Sequence, residues 1–438
     1  MAREYKDSAN REHSYAGINY AEEQPVLERK LKDSGIEWIG EIPAEWKTEK
    51  AKHVFVQRRE KGNEDCTLLA ATQKYGMYPQ HLLEGVVKVS SDTDMQQFKT
   101  VHINDYVISL RSFQGGFELS NYEGVCSPAY QVFSAHKAIN NIFFKYLFKS
   151  DAFIQQINAF VLGIREGKNI QYDDFSTMYL PIPSLDEQQR IADFLDEKCG
   201  EIDKLVALQE QMIEELKAYK QSVIIEAVTK GLNPYAPMRD SGIDWIGKVP
   251  KGWKVCKLKN VFSLLNGRAY LDPELLETGK YRILRVGNLF SSDKWYYSDM
   301  ELDNNKYCES GDLLYGWSAS IGPYIWKEEK VIYHYHIWKV LFGNNDLYYS
   351  FYMLQALTMA KQRDMHGSAM QHLTKVNMDN SIIVMPPIDE QRTIVSYLDT
   401  KCAEIDKLIS IKQNKISKLK EYKKSIIFEY VTGKKYIK

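Results

Sequence analysis

The chain contains itself twice. The segment DSGIEWIGEIPAEWK (residues 33–47) returns as DSGIDWIGKVPKGWK (240–254), with ten of fifteen positions identical. DEQQRIADFLDEKCGEIDKL (186–205) returns as DEQRTIVSYLDTKCAEIDKL (389–408), with thirteen of twenty identical. The second match runs on without gaps through Leu216/Leu419, Tyr219/Tyr422, Ser222/Ser425 and Glu226/Glu429 to Thr229/Thr432. A repeat of this period means two copies of one folding unit. Each copy reads as an opening motif, a variable body and a long helix. The expected fold class is α+β: two mixed α/β domains joined by two long antiparallel coiled-coil helices, a pseudo-twofold tandem repeat. The expected divisions are an extension over 1–32, a first domain over 33–185, a spacer helix over 186–232, a second domain over 233–386 and a second spacer helix over 387–438.

The bodies diverge. Asn104-Asp105-Tyr106-Val107 matches Gly311-Asp312-Leu313-Leu314, and Ile170 and Phe175 match Leu373 and Met378. Short β-type runs, DYVISL and VIYHYHIWKV, alternate with glycine-bearing turns. Residues 141–160 and 346–363 each read as one amphipathic helix. One scaffold with two interiors predicts two different binding surfaces.

Between Asp186 and Val228 there is no proline, and apolar residues recur at three and four: Ile191, Leu195, Ile202, Leu205/Val206, Met212/Ile213, Leu216, Tyr219 and Val223. The second copy gives Ile394, Leu398, Ile405, Leu408/Ile409, Ile416, Leu419, Tyr422 and Ile426. This spacing predicts a coiled-coil seam, with Gln209 and Lys412 as equivalent polar positions that set register. Asp186 and Asp389 are the expected N-caps. Residues 181–232 hold 6 basic and 11 acidic side chains; residues 387–438 hold 12 and 7. Opposite charges of -5 and +5 on similar seams favour pairing with each other over self-pairing. At 1.5 Å per residue, roughly 40 residues make a rod of about 60 Å, predicting a fixed separation of the bodies.

Composition then removes several classes. The formal net charge is -1, unlike the strong basic excess of a polycationic nucleic-acid coat. The large terms belong to the two helices; the bodies carry 0 (51–180) and +2 (233–386), so modest phosphate attraction is expected and tight binding should depend on partners. No apolar run reaches the roughly 18 residues of a membrane span, and MAREYKDSANREHSYAGINY has no signal-peptide core. The six cysteines form no CxxC pair, arguing against zinc or a disulfide framework. The expected location is the cytoplasm.

The opening motif, the Pro-rich approach to EQxxIxx(F/Y)LD and the EIDKL helix, all present twice, resemble the specificity subunit of type I restriction–modification systems. The likeness runs from Asp33 almost to the end. It implies that each body is a target recognition domain reading one half of a bipartite DNA site. The helices would set the spacing and bind methyltransferase subunits, two of them, with restriction/translocase subunits completing the nuclease. It implies no catalytic residues, cofactor or metal in this chain; S-adenosylmethionine, ATP and magnesium belong to the partners. ATQKYGMYPQ, LRSFQGGFELS and CSPAYQVF in the first body resemble one subgroup of these domains. RILRVGNL, GDLLYGWSASIG and MHGSAMQHL in the second resemble another, so the target should not be a palindrome.

Base edges are read by Arg or Lys on guanine and Asn or Gln on adenine, while phosphate contacts fix register. In the first body Gln73, Lys74, Tyr75, Arg111, Ser112, Gln114, Arg165, Lys168, Asn169 and Gln171 fall in turn-rich stretches. In the second the candidates are Arg268, Arg285, Asn288, Trp317, Ser318, His366, Ser368, Gln371 and His372. Arg111 and Arg285 lead, because each ends an apolar run and would stand at a sheet rim. An Arg held by a carboxylate is the competing structural reading.

Four motifs look catalytic in isolation. Asn233-Pro234-Tyr235 lacks the second proline of an amino-methyltransferase motif and reads as a turn. Residues 163–169 are one residue short of a phosphate loop and end in Asn. His334 and His336 alternate on what reads as one strand, without a third ligand. Glu421-Tyr422-Lys423 lies on the helix. The rival functions are a self-sufficient DNA methyltransferase or endonuclease, and a repeat scaffold that binds only proteins.

Overall fold

The computed structural model describes residues 29–62, 66–83, 95–109, 116–162, 170–364 and 373–437. They form two compact units. One runs to Lys204 and takes in the chain from Leu419 onward; the other spans Leu205–Lys418.

In the first unit β1 (Leu31–Asp33) pairs with β2 (Glu41–Pro43). The turn between them is tied by Asp33, whose side chain accepts from Gly35 N at 2.9 Å. β3 (Lys47–Lys50) and β4 (Phe55–Arg58) follow, then the hairpin β5 (Leu69–Thr72) and β6 (Gly76–Pro79), then β7 (Lys99–Val101). β8 (Tyr106–Ile108), β9 (Phe117–Leu119), β10 (Gly124–Cys126) and β11 (Gln131–Ala135) complete the strands before the helices. The central antiparallel sheet has the order β4-β11-β8-β9. Against it pack α1 (Asn141–Lys149), α2 (Asp151–Leu162) and α3 (Tyr172–Ser176). Phe55, Phe117, Phe133, Phe148 and Phe175 make its buried aromatic centre. β12 (Tyr179–Ile182) pairs back on β3 and leads into α4 (Leu185–Lys230).

The single helix expected over 141–160 is two. The Ser150 hydroxyl donates to Leu147 O at 2.7 Å and the backbone there is extended, so α1 stops; Phe153 N donates to the same hydroxyl at 3.4 Å as α2 begins. A serine that satisfies backbone on both sides competes with helix continuation.

The second unit repeats the frame. β13 (Met238–Asp240) pairs with β14 (Lys248–Pro250), followed by β15 (Lys254–Lys257) and β16 (Ser263–Asn266). β17 (Tyr281–Leu284), α5 (Val286–Phe290), β18 (Tyr296–Ser298), β19 (Tyr307–Cys308), β20 (Leu313–Gly316), β21 (Gly322–Ile325), β22 (Val331–Tyr333) and β23 (Ile337–Leu341) make the body. Then come α6 (Leu347–Asp364), α7 (Lys375–Asp379), β24 (Ile382–Met385) and α8 (Ile388–Val431). The sheet β16-β23-β20-β21 repeats the order of the first unit, and β15 pairs with β24 as β3 pairs with β12. Among the described residues only this unit adds a second four-stranded sheet, β18-β17-β22-β19, with β17 and β22 parallel.

Matching bonds hold each frame. Trp46 Nε1 donates to Glu187 at 2.9 Å, and Trp253 Nε1 donates to Glu390 at 2.9 Å. Gln188 accepts from Asn140 N at 2.8 Å, as Gln391 does from Asp346 N at 2.9 Å. Tyr146 donates to Asp196 and Tyr352 to Asp399, both at 2.7 Å. Each frame is closed by the helix end of the other repeat. In the first unit Gly433, at φ 71, lies under Pro43 and Trp46; in the second Gly231, at φ 72, lies under Trp253. A Cβ at Gly433 would come within 3.0 Å of the Pro43 ring, and one at Gly231 within 3.0 Å of the Trp253 ring, so the close approach and the left-handed backbone both demand glycine.

The helices pair antiparallel within each unit. In the first, Phe194 packs on Tyr430 at 4.5 Å and Asp203 meets Lys423 at 2.7 Å. In the second, Lys220 meets Asp406 at 2.7 Å, and Lys412 Nζ donates to Gln209 Oε1 at 3.4 Å. The two ion pairs are reciprocal: each joins the lysine of one repeat to the aspartate of the other. Ile191, Leu195, Ile202, Ile213 and Val223, with Ile394, Leu398, Ile405 and Ile426, are buried as the seam predicts. Tyr219 and Tyr422 are not; at 55% and 57% exposed they lie off the seam with Leu205, Leu208, Leu408 and Ile411. The N-cap expectation also fails. α4 starts at Leu185, Ser184 Oγ accepts from Glu187 N at 3.3 Å, and Asp186 instead pairs with Arg190 at 2.6 Å. α8 starts at Ile388, so Asp389 also lies inside its first turn.

Candidate nucleic-acid interface

Each unit presents a polar cleft lined by lysines or arginines and aromatic rings. In the first, Thr72 at the end of β5 accepts from Tyr75 N at 2.9 Å and donates to Gly76 O at 3.0 Å. That closes the hairpin and leaves Gln73, Lys74 and Tyr75 exposed at its tip. The Lys74 ammonium lies 4.9 Å over the Tyr75 ring, Tyr75 is 5.0 Å from Tyr78, and Tyr78 meets Tyr122 edge-on at 5.4 Å. With Glu118, Asn121, Lys145 and Lys149 they line a cleft of about 330 Å³. Lysines beside tyrosine faces suit a phosphate backbone with bases stacked against it. Glu118 is 3% exposed and bonded to Lys149; burial pushes its carboxyl up to about 7 against the pull of that lysine.

In the second unit the cleft also measures about 330 Å³, lined by Arg285, Asn288, Ser292, Lys294, Tyr296, Ser318, Ala319, His334 and His336. Arg285 follows β17 at the sheet rim, where its guanidinium lies 5.3 Å over Tyr296; Lys294 lies 5.1 Å over the same ring. Lys294, with Arg285 behind it, draws the Tyr296 hydroxyl below its ordinary pKa. Burial, reinforced by His336 and Arg285, lowers His334 to about 4, so it meets a ligand as a neutral ring.

Three candidates are engaged within the fold. The Arg268 guanidinium grips Glu274 through two bonds of 2.9 and 2.7 Å, the carboxylate-held alternative weighed for such arginines. Asn288 accepts from Arg285 N at 3.1 Å and donates to Ser292 O and Lys294 O at 3.2 and 2.9 Å, which shapes the loop carrying Lys294. Trp317 donates to Tyr335 O at 2.8 Å and stacks on Trp338. Gln171 stands apart from the first cleft, accepting from Gln131 at 2.9 Å, which in turn accepts from Gln57 at 2.9 Å. Ser318 is buried and faces the second cleft. Arg111, Ser112, Gln114, Arg165, Lys168, Asn169, His366, Ser368, Gln371 and His372 lie outside the described residues.

One reading needs correction. VIYHYHIWKV is not one strand: β22 and β23 belong to different sheets, and His334-Tyr335-His336 is the corner between them. The corner turns both histidines into the cleft. Periodicity alone hides this, because the run stays apolar through a change of sheet. Lys294, Tyr296, Tyr78, Tyr122, Lys145 and Lys149 had no local signal beyond being basic or aromatic. Asn233-Pro234-Tyr235 is the expected turn, with Asn233 accepting from Tyr235 N at 3.0 Å. Among the described residues no group of three or more His, Cys, Asp and Glu side chains is placed to hold a metal ion, and no helix is long and apolar enough to cross a membrane.

One frame used twice, with a different cationic cleft on each copy, defines a modular two-site reader. The family model described as the type I restriction modification DNA specificity domain matches residues 43–218 and again 250–421. The Type I restriction enzyme MjaVIII specificity subunit of Methanocaldococcus jannaschii is 26% identical over 67% of this chain and 70% of its own. The putative MjaX specificity subunit of the same organism is 24% identical over 91% of this chain and 96% of its own. A solved structure concerned with complex assembly and conformational transition of the type I R–M system aligns with a TM-score of 0.69 at 16% identity, over 89% of this chain and 98% of that one. The HsdS subunit from Thermoanaerobacter tengcongensis aligns at 0.50 and 16% identity, over 90% and 98%. The chain belongs to the type I restriction–modification specificity subunits, the non-catalytic DNA-recognition component of those systems.

Proposed function

We propose that each cleft reads one half of a bipartite, non-palindromic DNA target, and that residues 33–185 and 233–386 are the two target recognition domains. The observation that carries this reading is the contrast between a duplicated frame and unlike clefts. A protein with identical clefts would read a repeated half-site; these differ in every lining side chain that bears a charge. In the second half-site Arg285 is the principal base reader, with Lys294 on phosphate and neutral His334 as a further donor or acceptor. In the first, Lys74 and Lys145 hold phosphate while Gln73 and Tyr75 face the bases. Residues 110–115, 163–169 and 365–372 supply Arg111, Gln114, Arg165, Lys168, Asn169, Gln371 and the other candidates there. The paired helices fix the spacing between half-sites. Methyltransferase subunits, two of them, dock on the exposed apolar stripes, Leu205, Leu208, Met212 and Tyr219 on α4 with Leu408, Ile411 and Tyr422 on α8. Leu205, Leu208 and Tyr219 recur as Leu408, Ile411 and Tyr422 at one constant offset, and all six are exposed. S-adenosylmethionine belongs to those partners, and ATP and magnesium to the restriction subunits, in the cytoplasm.

Methylation-aware sequencing of a host carrying this chain with its methyltransferase partner tests the reading. The expected outcome is one asymmetric motif split by a fixed gap. A contiguous or palindromic motif overturns it.

A further inference from the structure

The turn between β20 and β21 holds a residue in a strained backbone conformation. Ala319 sits at φ 62, where an L side chain crowds its own backbone. Ser320 N donates to Ser318 O at 2.8 Å, making Ala319 the centre of a tight three-residue turn. Glycine takes such a turn freely, and this hairpin already uses Gly316 and Gly322 at its feet. Alanine at the tip is therefore costly for backbone reasons. The chain entering the turn is anchored two residues earlier. Trp317 N donates to His336 O at 3.1 Å, Leu373 N donates to Trp317 O at 3.1 Å, and the indole stacks at 20° on Trp338. Strain held in place by such contacts belongs to positions with a task.

Ala319 is exposed, and its methyl is a small apolar group in a cleft otherwise walled by Arg285, Lys294, Asn288 and His334. The cationic and polar groups suit phosphates and hydrogen-bonding base edges. A methyl suits the C5-methyl of thymine, the apolar mark in the major groove. We propose that Ala319 is a specificity-determining residue whose methyl group contacts a thymine methyl in the half-site read by this unit. The inference rests on the reading of the cleft as a DNA reader.

The test uses the chain assembled with its methyltransferase partner and duplexes carrying the mapped target, with each thymine replaced in turn by deoxyuridine. One replacement in this half-site should weaken wild-type binding about three- to fivefold, the worth of one buried methyl. In A319G the same replacement should have no further effect, and the variant should melt no lower than wild type. The inference is overturned if no thymine there responds, if the response persists in A319G, or if A319G melts lower. A complex that selects no DNA sequence would instead overturn the proposed function itself.

Discussion

The two units share a frame and differ in how they build a cleft on it. Both place an aspartate at the mouth of the second sheet strand. Asp105 accepts from His102 N and Asp312 from Glu309 N, each at 2.8 Å. Beyond that point they part. Val107 faces Glu118 across the first hairpin, while its equivalent Leu314 faces Tyr324 across the second. The first unit thus puts a buried carboxylate and Lys149 under a row of tyrosines. The second fills the place with aromatic packing and builds its cleft from an added sheet and the His334–His336 corner. The frame is held by bonds that recur in both copies; the clefts are lined by residues that do not.

The largest test of that division acts on the frame. Trp46→Ala and Trp253→Ala each empty a buried ring site and take an indole donor from a glutamate, so each should cost about 3–5 kcal/mol of stability by denaturant unfolding. If only one copy suffers, the frames are not equivalent. Glu118 offers a test confined to the first unit. Its carboxyl is raised to about 7 by burial, so between pH 4.5 and 7 the folded state keeps a proton that the unfolded state has released. Stability must then fall as pH rises through that window, by on the order of 3 kcal/mol. Glu118→Gln should abolish this component in thermal melts from pH 4.5 to 8; an unchanged slope assigns it elsewhere.

Arg285→Ala should weaken specific binding by about 1–3 kcal/mol and relax discrimination at one position of one half-site. Methylation profiles over single-base variants check this; relaxation in both halves would break the assignment of one half-site per unit. The smallest effect belongs to the helix pair. Removing Lys220–Asp406 or Asp203–Lys423 should cost about 0.2–1 kcal/mol each, since both pairs are largely solvated. Double-mutant cycles should return equal couplings if the reciprocal pairs are true equivalents.

Much of the frame was legible because it is local. Helices without proline, glycine turns after aspartate and a seam at three-four spacing are written in neighbouring residues. The exceptions are instructive. Ser150 splits a helix that periodicity joins, because one hydroxyl serves backbone on both sides. Tyr219 and Tyr422 fit the seam's spacing yet lie outside it, 55% and 57% exposed, while Val223 and Ile426 one turn on are buried. The clefts were legible only in part. Arg285 follows a strand and lines the second cleft, but Asn288 and Arg268, equally eligible by type, are engaged by neighbours in the fold.

The sequence by itself determined that there are two copies of one unit, that their helices have complementary charge, and that their interiors differ. All three are properties of composition and order, which survive without coordinates. Tertiary structure alone decided that each frame is closed by the other repeat's helix end, that HYH is a corner between sheets, and which cationic side chains reach a cleft. Those outcomes depend on contacts between residues far apart in the chain, where packing and hydrogen-bond competition select among side chains that the sequence leaves equal.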